Sequence, residues 1–147
     1  MKLFLLTSLF ATVLLVPASQ AEWLVNYEQA RALAKKENKP LLMDFTGSDW
    51  CPPCMIMEKR VYSSAAFLEY AKKNLILLKV DFPIRKPIMP VIQAQNNELA
   101  LQYDTQSRLP TVVVLDSAGN ELGRESGIIG RAEPGGMIAW INSLLRS

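Results

Sequence analysis

Cys51 and Cys54 are the only cysteines in this chain of 147 residues, and two prolines, Pro52 and Pro53, fill the gap between them. Thiols at that spacing fit within one helical turn. They can close a small disulfide on each other, or one can attack a disulfide on another molecule while the second resolves the adduct. Three chemistries compete for such a pair. A redox dithiol is the first. A structural staple is the second, and it is physically weak, because the entropic benefit of a bridge grows with loop length and this loop is minimal. Half of a zinc site is the third. A structural zinc takes four ligands, and with no histidine and no further cysteine in the chain the metal would have to be shared between two copies. The missing histidine also argues against copper delivery. No cofactor and no metal are expected.

The rest of the composition bounds the setting. Half of the residues are apolar and a fifth are charged, which suits one globular domain with a real core. A formal net charge of +2 without a basic stripe gives no case for nucleic acid. The first residues have another signature. Lys2 is followed by the apolar run Leu3 to Val16, then Pro17 and the small residues of Ser19-Gln20-Ala21. Charged, apolar and cleavable segments in that order predict a signal peptide over 1–21 and a mature domain over 22–147. An uncleaved anchor is the competing reading, although the run is short of the roughly 20 residues a span needs. Export to the periplasm or the medium follows, and with it an oxidising surrounding for the thiols.

Local signals place the dithiol. Asn26 is a good N-cap for a helix over Tyr27 to Glu37, which Asn38-Lys39-Pro40 stops. Leu41 to Phe45, Leu75 to Asp81 and Thr111 to Leu115 are short apolar runs between breakers and read as buried strands. A helix opens at the cysteines with Pro52 in its first turn, where a missing N–H costs nothing, and runs through Arg60. Ser63 or Ser64 caps a further helix through Tyr70. Val91 to Tyr103 reads as a helix, and a last amphipathic helix follows Pro134. Asp116 to Asn120 is a hairpin turn into a polar strand over Glu121 to Ser126. Pro83, Pro87 and Pro90 punctuate a loop whose Arg85 and Lys86 read as solvated. Strands alternating with helices predict an α/β fold with a parallel core and a terminal antiparallel hairpin.

The order of these elements and three separated motifs resemble the thioredoxin superfamily. Asp44-Phe45…Trp50-Cys51-Pro52-Pro53-Cys54 is similar to the family's active-site block, and Leu109-Pro110-Thr111 is similar to its later cis-proline turn. Asp44 to Arg60 and Leu115 to Arg124 look like the secreted single-domain bacterial members and the thioredoxin-like domain of the membrane reductant transporter. The resemblance implies a three-layer α/β/α sandwich around a mixed sheet. Three departures stand out. One more residue separates Asp44 from Cys51 than in ordinary thioredoxin, so a new amide or Asp49 could approach the thiolate. Leu77 replaces the lysine usual near the carboxylate, leaving Lys79 as the candidate substitute. Met55 stands where cytosolic thioredoxins commonly carry a basic residue.

On that resemblance Cys51 is the nucleophile, favoured as a thiolate at a helix N-terminus, and Cys54 is the resolving thiol. Asp44 would be a buried carboxylate that accepts the Cys54 proton. Pro110 would be cis and would leave neighbouring backbone, Leu109 included, free to pair with an extended substrate. Trp50 would be a flat apolar contact for that substrate, or else a core tryptophan. The implied function is a monomeric thiol-disulfide oxidoreductase acting on protein disulfides, supplied by a membrane-bound thiol donor. The two prolines offer no amide to the Cys51 sulfur, which favours reduction or electron relay over disulfide formation. A disulfide-forming oxidase and a secreted binding protein with an inert bridge are the alternatives.

Overall fold

Six consecutive side chains, Leu41 to Thr46, are buried without alternation, and such a strand must lie in the middle of a sheet covered on both faces. In a computed structural model, which describes residues 21–103 and 105–146, it does. The predicted signal segment falls, apart from Ala21, outside the described residues. Strand β1 (Trp23–Leu24), helix α1 (Tyr27–Glu37), β2 (Leu41–Thr46), α2 (Pro52–Met57), α3 (Ala65–Asn74), β3 (Ile76–Asp81), α4 (Pro90–Gln102), β4 (Thr111–Leu115), β5 (Glu121–Ser126) and α5 (Pro134–Leu145) follow in chain order. The sheet order is β1-β3-β2-β4-β5. β3 runs parallel to β1 and β2, whereas β4 is antiparallel to both β2 and β5.

Alternation along the strands divides the core in two. Leu42, Leu77, Val112 and Val114 point to one face, under Met57, Val61, Tyr62, Phe67, Met137 and Ile141. Leu41, Met43, Phe45, Leu78, Val113 and Leu115 point to the other, under Ala30, Ala34, Leu99 and Ala100. This is the α/β/α sandwich with a mixed sheet that the sequence predicts. The caps also follow local chemistry. Asn26 accepts from the Gln29 amide at 2.8 Å, and Ser64 accepts from the Phe67 amide at 3.2 Å, each cap contributing about 1 kcal/mol.

Three features differ from the expectation. β1 is a strand of two residues, too short to leave a periodic signal, yet it makes β3 an inner strand. The cysteine helix changes to a π-helical turn over Glu58–Tyr62, with the Ser63 amide reaching Glu58 O at 3.0 Å. A 3-10 turn over Ile129–Ala132 holds Gly130 and Arg131 in the left-handed region, both at φ 58°. A packing test follows from the core. Phe67 has no exposed surface, so Phe67→Ala should cost about 3–5 kcal/mol in denaturant unfolding. Leu101→Ala, on a side chain 66% exposed, should stay within about 0.5 kcal/mol.

Candidate active site

The end of β2 sets the site. After Thr46 the chain turns at Gly47, whose carbonyl accepts from Trp50 N at 3.3 Å and from Cys51 N at 3.0 Å. This turn delivers Cys51 to the N-cap position of α2 with extended backbone, φ −98° and ψ 103°. Cys51 and Cys54 form a disulfide with their Cα atoms 5.2 Å apart. Cys51 is 4% exposed and Cys54 2%. Of the first three helical residues, Pro52, Pro53 and Cys54, only Cys54 carries an N–H. An amide of the loop does meet a sulfur, but the sulfur is that of Cys54: Gly47 N donates to Cys54 Sγ at 3.5 Å.

The Leu109–Pro110 peptide bond is cis. Because Phe45 pairs with Thr111 across β2 and β4, Pro110 stands at the same sheet end as the cysteine turn. Its carbonyl is held by Gly127 N at 2.8 Å, and Thr111 Oγ1 donates to Arg108 O. Leu109 and Cys51 face one groove of about 610 Å³, walled by Trp50, Phe82, Leu101 and Thr105, and among the described residues no charged side chain lines it. Trp50 is 41% exposed, a surface wall and not a core tryptophan. Its Nε1 donates to Phe82 O at 2.7 Å. A Cβ placed on Gly47 would lie 2.5 Å from Trp50 Cε2, so the indole rests directly on the glycine.

Asp44 lies on the sheet face shared with Leu42, beneath α2, and is essentially buried. Lys79 is its register partner on β3, and Lys79 Nζ donates to Asp44 Oδ2 at 3.0 Å and to Glu58 Oε2 at 2.7 Å. Lys79, and not a residue at position 77, thus supplies the cation beside Asp44. The ammonium also lies 3.9 Å from the Trp23 ring centroid and 4.9 Å from that of Tyr62. Burial raises the Asp44 carboxyl above its ordinary range, and Lys79 offsets this only in part. Burial pulls Lys79 down, but the Asp44 and Glu58 carboxylates outweigh it and hold the ammonium above its usual value. Asp44 Oδ1 and the Tyr62 hydroxyl are buried without a hydrogen-bond partner among the described residues. Burial first, then the nearby carboxylates, keep the Tyr62 phenol protonated well beyond its normal range.

Cys54 shares a second cavity, of about 530 Å³, with Glu58, Lys79 and Asp81. Among the described residues the groove beside Cys51 is therefore uncharged and the one beside Cys54 ionic. Asp49 takes no part in either. Its carboxylate accepts from the amides of Ile84, Arg85 and Lys86 at 2.9, 2.7 and 3.1 Å. Those bonds, the one from Ile84 foremost, hold it below the usual carboxylate range.

All six residues singled out by sequence thus meet at one end of the sheet, Asp44 one layer beneath the rest. Lys79 was visible only as a candidate, and Glu58, Tyr62 and Trp23 were not seen at all. Glu58 follows Cys54 by four residues and so shares its helical face, a signal that was available. The Trp23 contact depends on a strand too short to predict.

The family model described as Thioredoxin-like matches residues 22–117. Disulfide bond reductase DsbH of Chlamydia pneumoniae is 35% identical over 83 residues, 56% of this chain and 49% of that protein. Thioredoxin-related protein DsbJ of the same organism is 32% identical over 74 residues, 50% of this chain and 21% of the relative. The chain thus spans about half or less of the length of these curated relatives. A solved structure named DsbH Oxidoreductase superposes with a TM-score of 0.71 at 29% identity, covering 98% of this chain and 91% of that one. Matching motifs, sheet order and cis-proline turn leave one conclusion: the chain belongs to the thioredoxin-like family.

Proposed function

We propose that this protein is a thiol-disulfide oxidoreductase of the cell envelope that reduces protein disulfides, or relays electrons to them, through Cys51 and Cys54. One observation carries the reading: the disulfide closes beside a groove that Cys51 shares with Leu109, the residue before cis-Pro110. Among the described residues no hydrogen bond engages the Leu109 amide or carbonyl, so both are open to an extended chain lying in the groove. The similarity to a protein named as a disulfide bond reductase supports the same reaction.

In the reduced form the Cys51 thiolate attacks one sulfur of the substrate disulfide, and the other substrate sulfur leaves as a thiolate and takes up a proton. Cys54 then loses its proton to Asp44, whose raised affinity for protons and unpartnered Oδ1 suit an acceptor. The Cys54 thiolate attacks Cys51 Sγ, the mixed disulfide breaks, and the second substrate thiol departs. Two electrons have moved from the protein to the substrate, and a thiol donor, which we place in the membrane, must return them. Trp50 and Leu109 guide the substrate chain, and the protein acts as a monomer. The segment 1–21 exports it, with 22–147 as the working domain; among the described residues no helix is long and apolar enough to cross a membrane.

Cys51→Ser should abolish disulfide reduction, while Cys54→Ser should attack and stall as a mixed disulfide visible by mass spectrometry. Full turnover in both variants would refute the mechanism. With no amide on Pro52 or Pro53, the couple should titrate against glutathione nearer thioredoxin's roughly −270 mV than a strong oxidase's roughly −120 mV. The Cys51 thiolate should appear near pH 7, not near about 3.5.

The ion pair gives a pH signature. The folded state binds the Asp44 proton more tightly than the unfolded chain does. The stability this provides is present at acid pH and is lost as pH rises through the raised folded pKa. Lys79→Met removes the influence that offsets burial, so the Asp44 pKa should climb further and the loss should extend to higher pH. At neutral pH the variant should be destabilised by about 3–5 kcal/mol, with much of the deficit recovered in acid. Denaturant unfolding across pH, with carbon NMR of the Asp44 carboxyl, measures both.

A further inference from the structure

Pro83 to Met89 runs from the groove wall to the start of α4 and is more than solvated chain. Ile84 and Met89 are 73% and 62% exposed, and Arg85 and Lys86 are exposed with no ion-pair partner within 4 Å among the described residues. A loop carrying such side chains would ordinarily be loose. Here Asp49, two residues before Cys51, accepts three successive amides from Ile84, Arg85 and Lys86. Ser48 adds two bonds to Asp81, from its amide at 2.9 Å and its hydroxyl at 2.5 Å. Trp50 binds Phe82 O. Three hydrogen bonds therefore fix the loop itself, and three more fix Asp81 and Phe82 at its root, to the turn that delivers the nucleophile; Pro83 and Pro87 within it, and Pro90 at the start of α4, restrict the backbone further. Lys86 lines the cavity that Cys54 shares with Glu58, Lys79 and Asp81, so the loop sets a cation on a cavity that the disulfide also lines, and Arg108 beside Leu109 is exposed as well.

We propose that Asp49 is a positioning residue that fastens this loop beside Cys51 as a docking wall, and that the wall selects disulfide substrates carrying acidic and apolar residues next to the reacting sulfur. Charge complementarity names the occupant: Arg85 and Lys86 meet carboxylates while Ile84 and Met89 meet apolar side chains, and the pre-fixed wall loses little entropy on binding. The inference rests on the redox reading of the groove, and it goes beyond it by naming the substrate chemistry.

The test uses two disulfide-bonded peptides of equal length, one with Asp, Glu and Leu flanking the cysteines and one with Lys, Arg and Leu, with hydroxyethyl disulfide as a small neutral reference. The protein should prefer the acidic peptide by roughly tenfold in kcat/KM at low salt, through KM, and the preference should fade as salt screens it. Arg85→Glu with Lys86→Glu should abolish or reverse the peptide ratio. Asp49→Ala should lower the ratio of peptide to hydroxyethyl disulfide turnover severalfold, and Asp49→Asn, whose amide oxygen still accepts, should restore part of it. Equal use of the two peptides, or a preference that survives the charge reversal, would overturn the proposal. Should Asp49→Ala fail to fold, the double variant at exposed positions decides the matter. Fluorescence anisotropy with serine-substituted peptides measures docking without chemistry. Loss of reduction of all three disulfides by the unaltered protein would therefore sink the redox reading, while the binding preference would still judge the loop.

Discussion

A strand of six residues with no side chain left in water is the constraint on which this molecule depends. To bury Leu41–Thr46 on both edges and both faces, β3 and β4 must flank it and helices must cover it above and below. Flanking β2 by a parallel and an antiparallel neighbour brings the end of β2, the end of β3 and the start of β4 to one place. The cysteine turn, the Phe82 loop and cis-Pro110 emerge there. The site is thus a by-product of satisfying the central strand.

The same strand carries a charge that cannot reach water. Asp44 is tolerated because Lys79 stands opposite it in register, and Lys79 because Glu58 and two aromatic rings share its ammonium. An isolated buried carboxylate would neutralise itself by binding a proton. Here burial raises the carboxyl's affinity for a proton and the Lys79 ammonium opposes it. The charged lining on the Cys54 side contrasts with the groove on the Cys51 side, where no charged side chain stands among the described residues, so one disulfide separates two unlike cavities.

Much of this was legible in the residues. The inner strands, the Asn26 and Ser64 caps and the cysteine helix are local signals that agree with the global fold, whereas the cis proline came only with the family resemblance. What remained hidden needs register or reach. Lys79 becomes the partner of Asp44 only when β2 and β3 are aligned, because two residues along a strand is the spacing at which side chains return to one face. Trp23 lies on a strand of two residues, below any periodicity. Asp49 reads as a turn residue near a thiolate; its engagement with amides 35 to 37 positions away is invisible in one dimension. The π-helical turn after Met57 leaves no mark in composition.

Gly47 joins both sides of the disulfide. Its carbonyl holds the backbone of Trp50 and Cys51, its amide meets the sulfur of Cys54, and its bare Cα supports the indole. Any side chain there would have to displace the tryptophan that walls the groove, while the glycine's own backbone still gripped the Cys51 amide and the Cys54 sulfur. Position 47 is consequently a set-screw: bulk added at it would widen or narrow the slot by the thickness of a methyl group without altering a single redox atom.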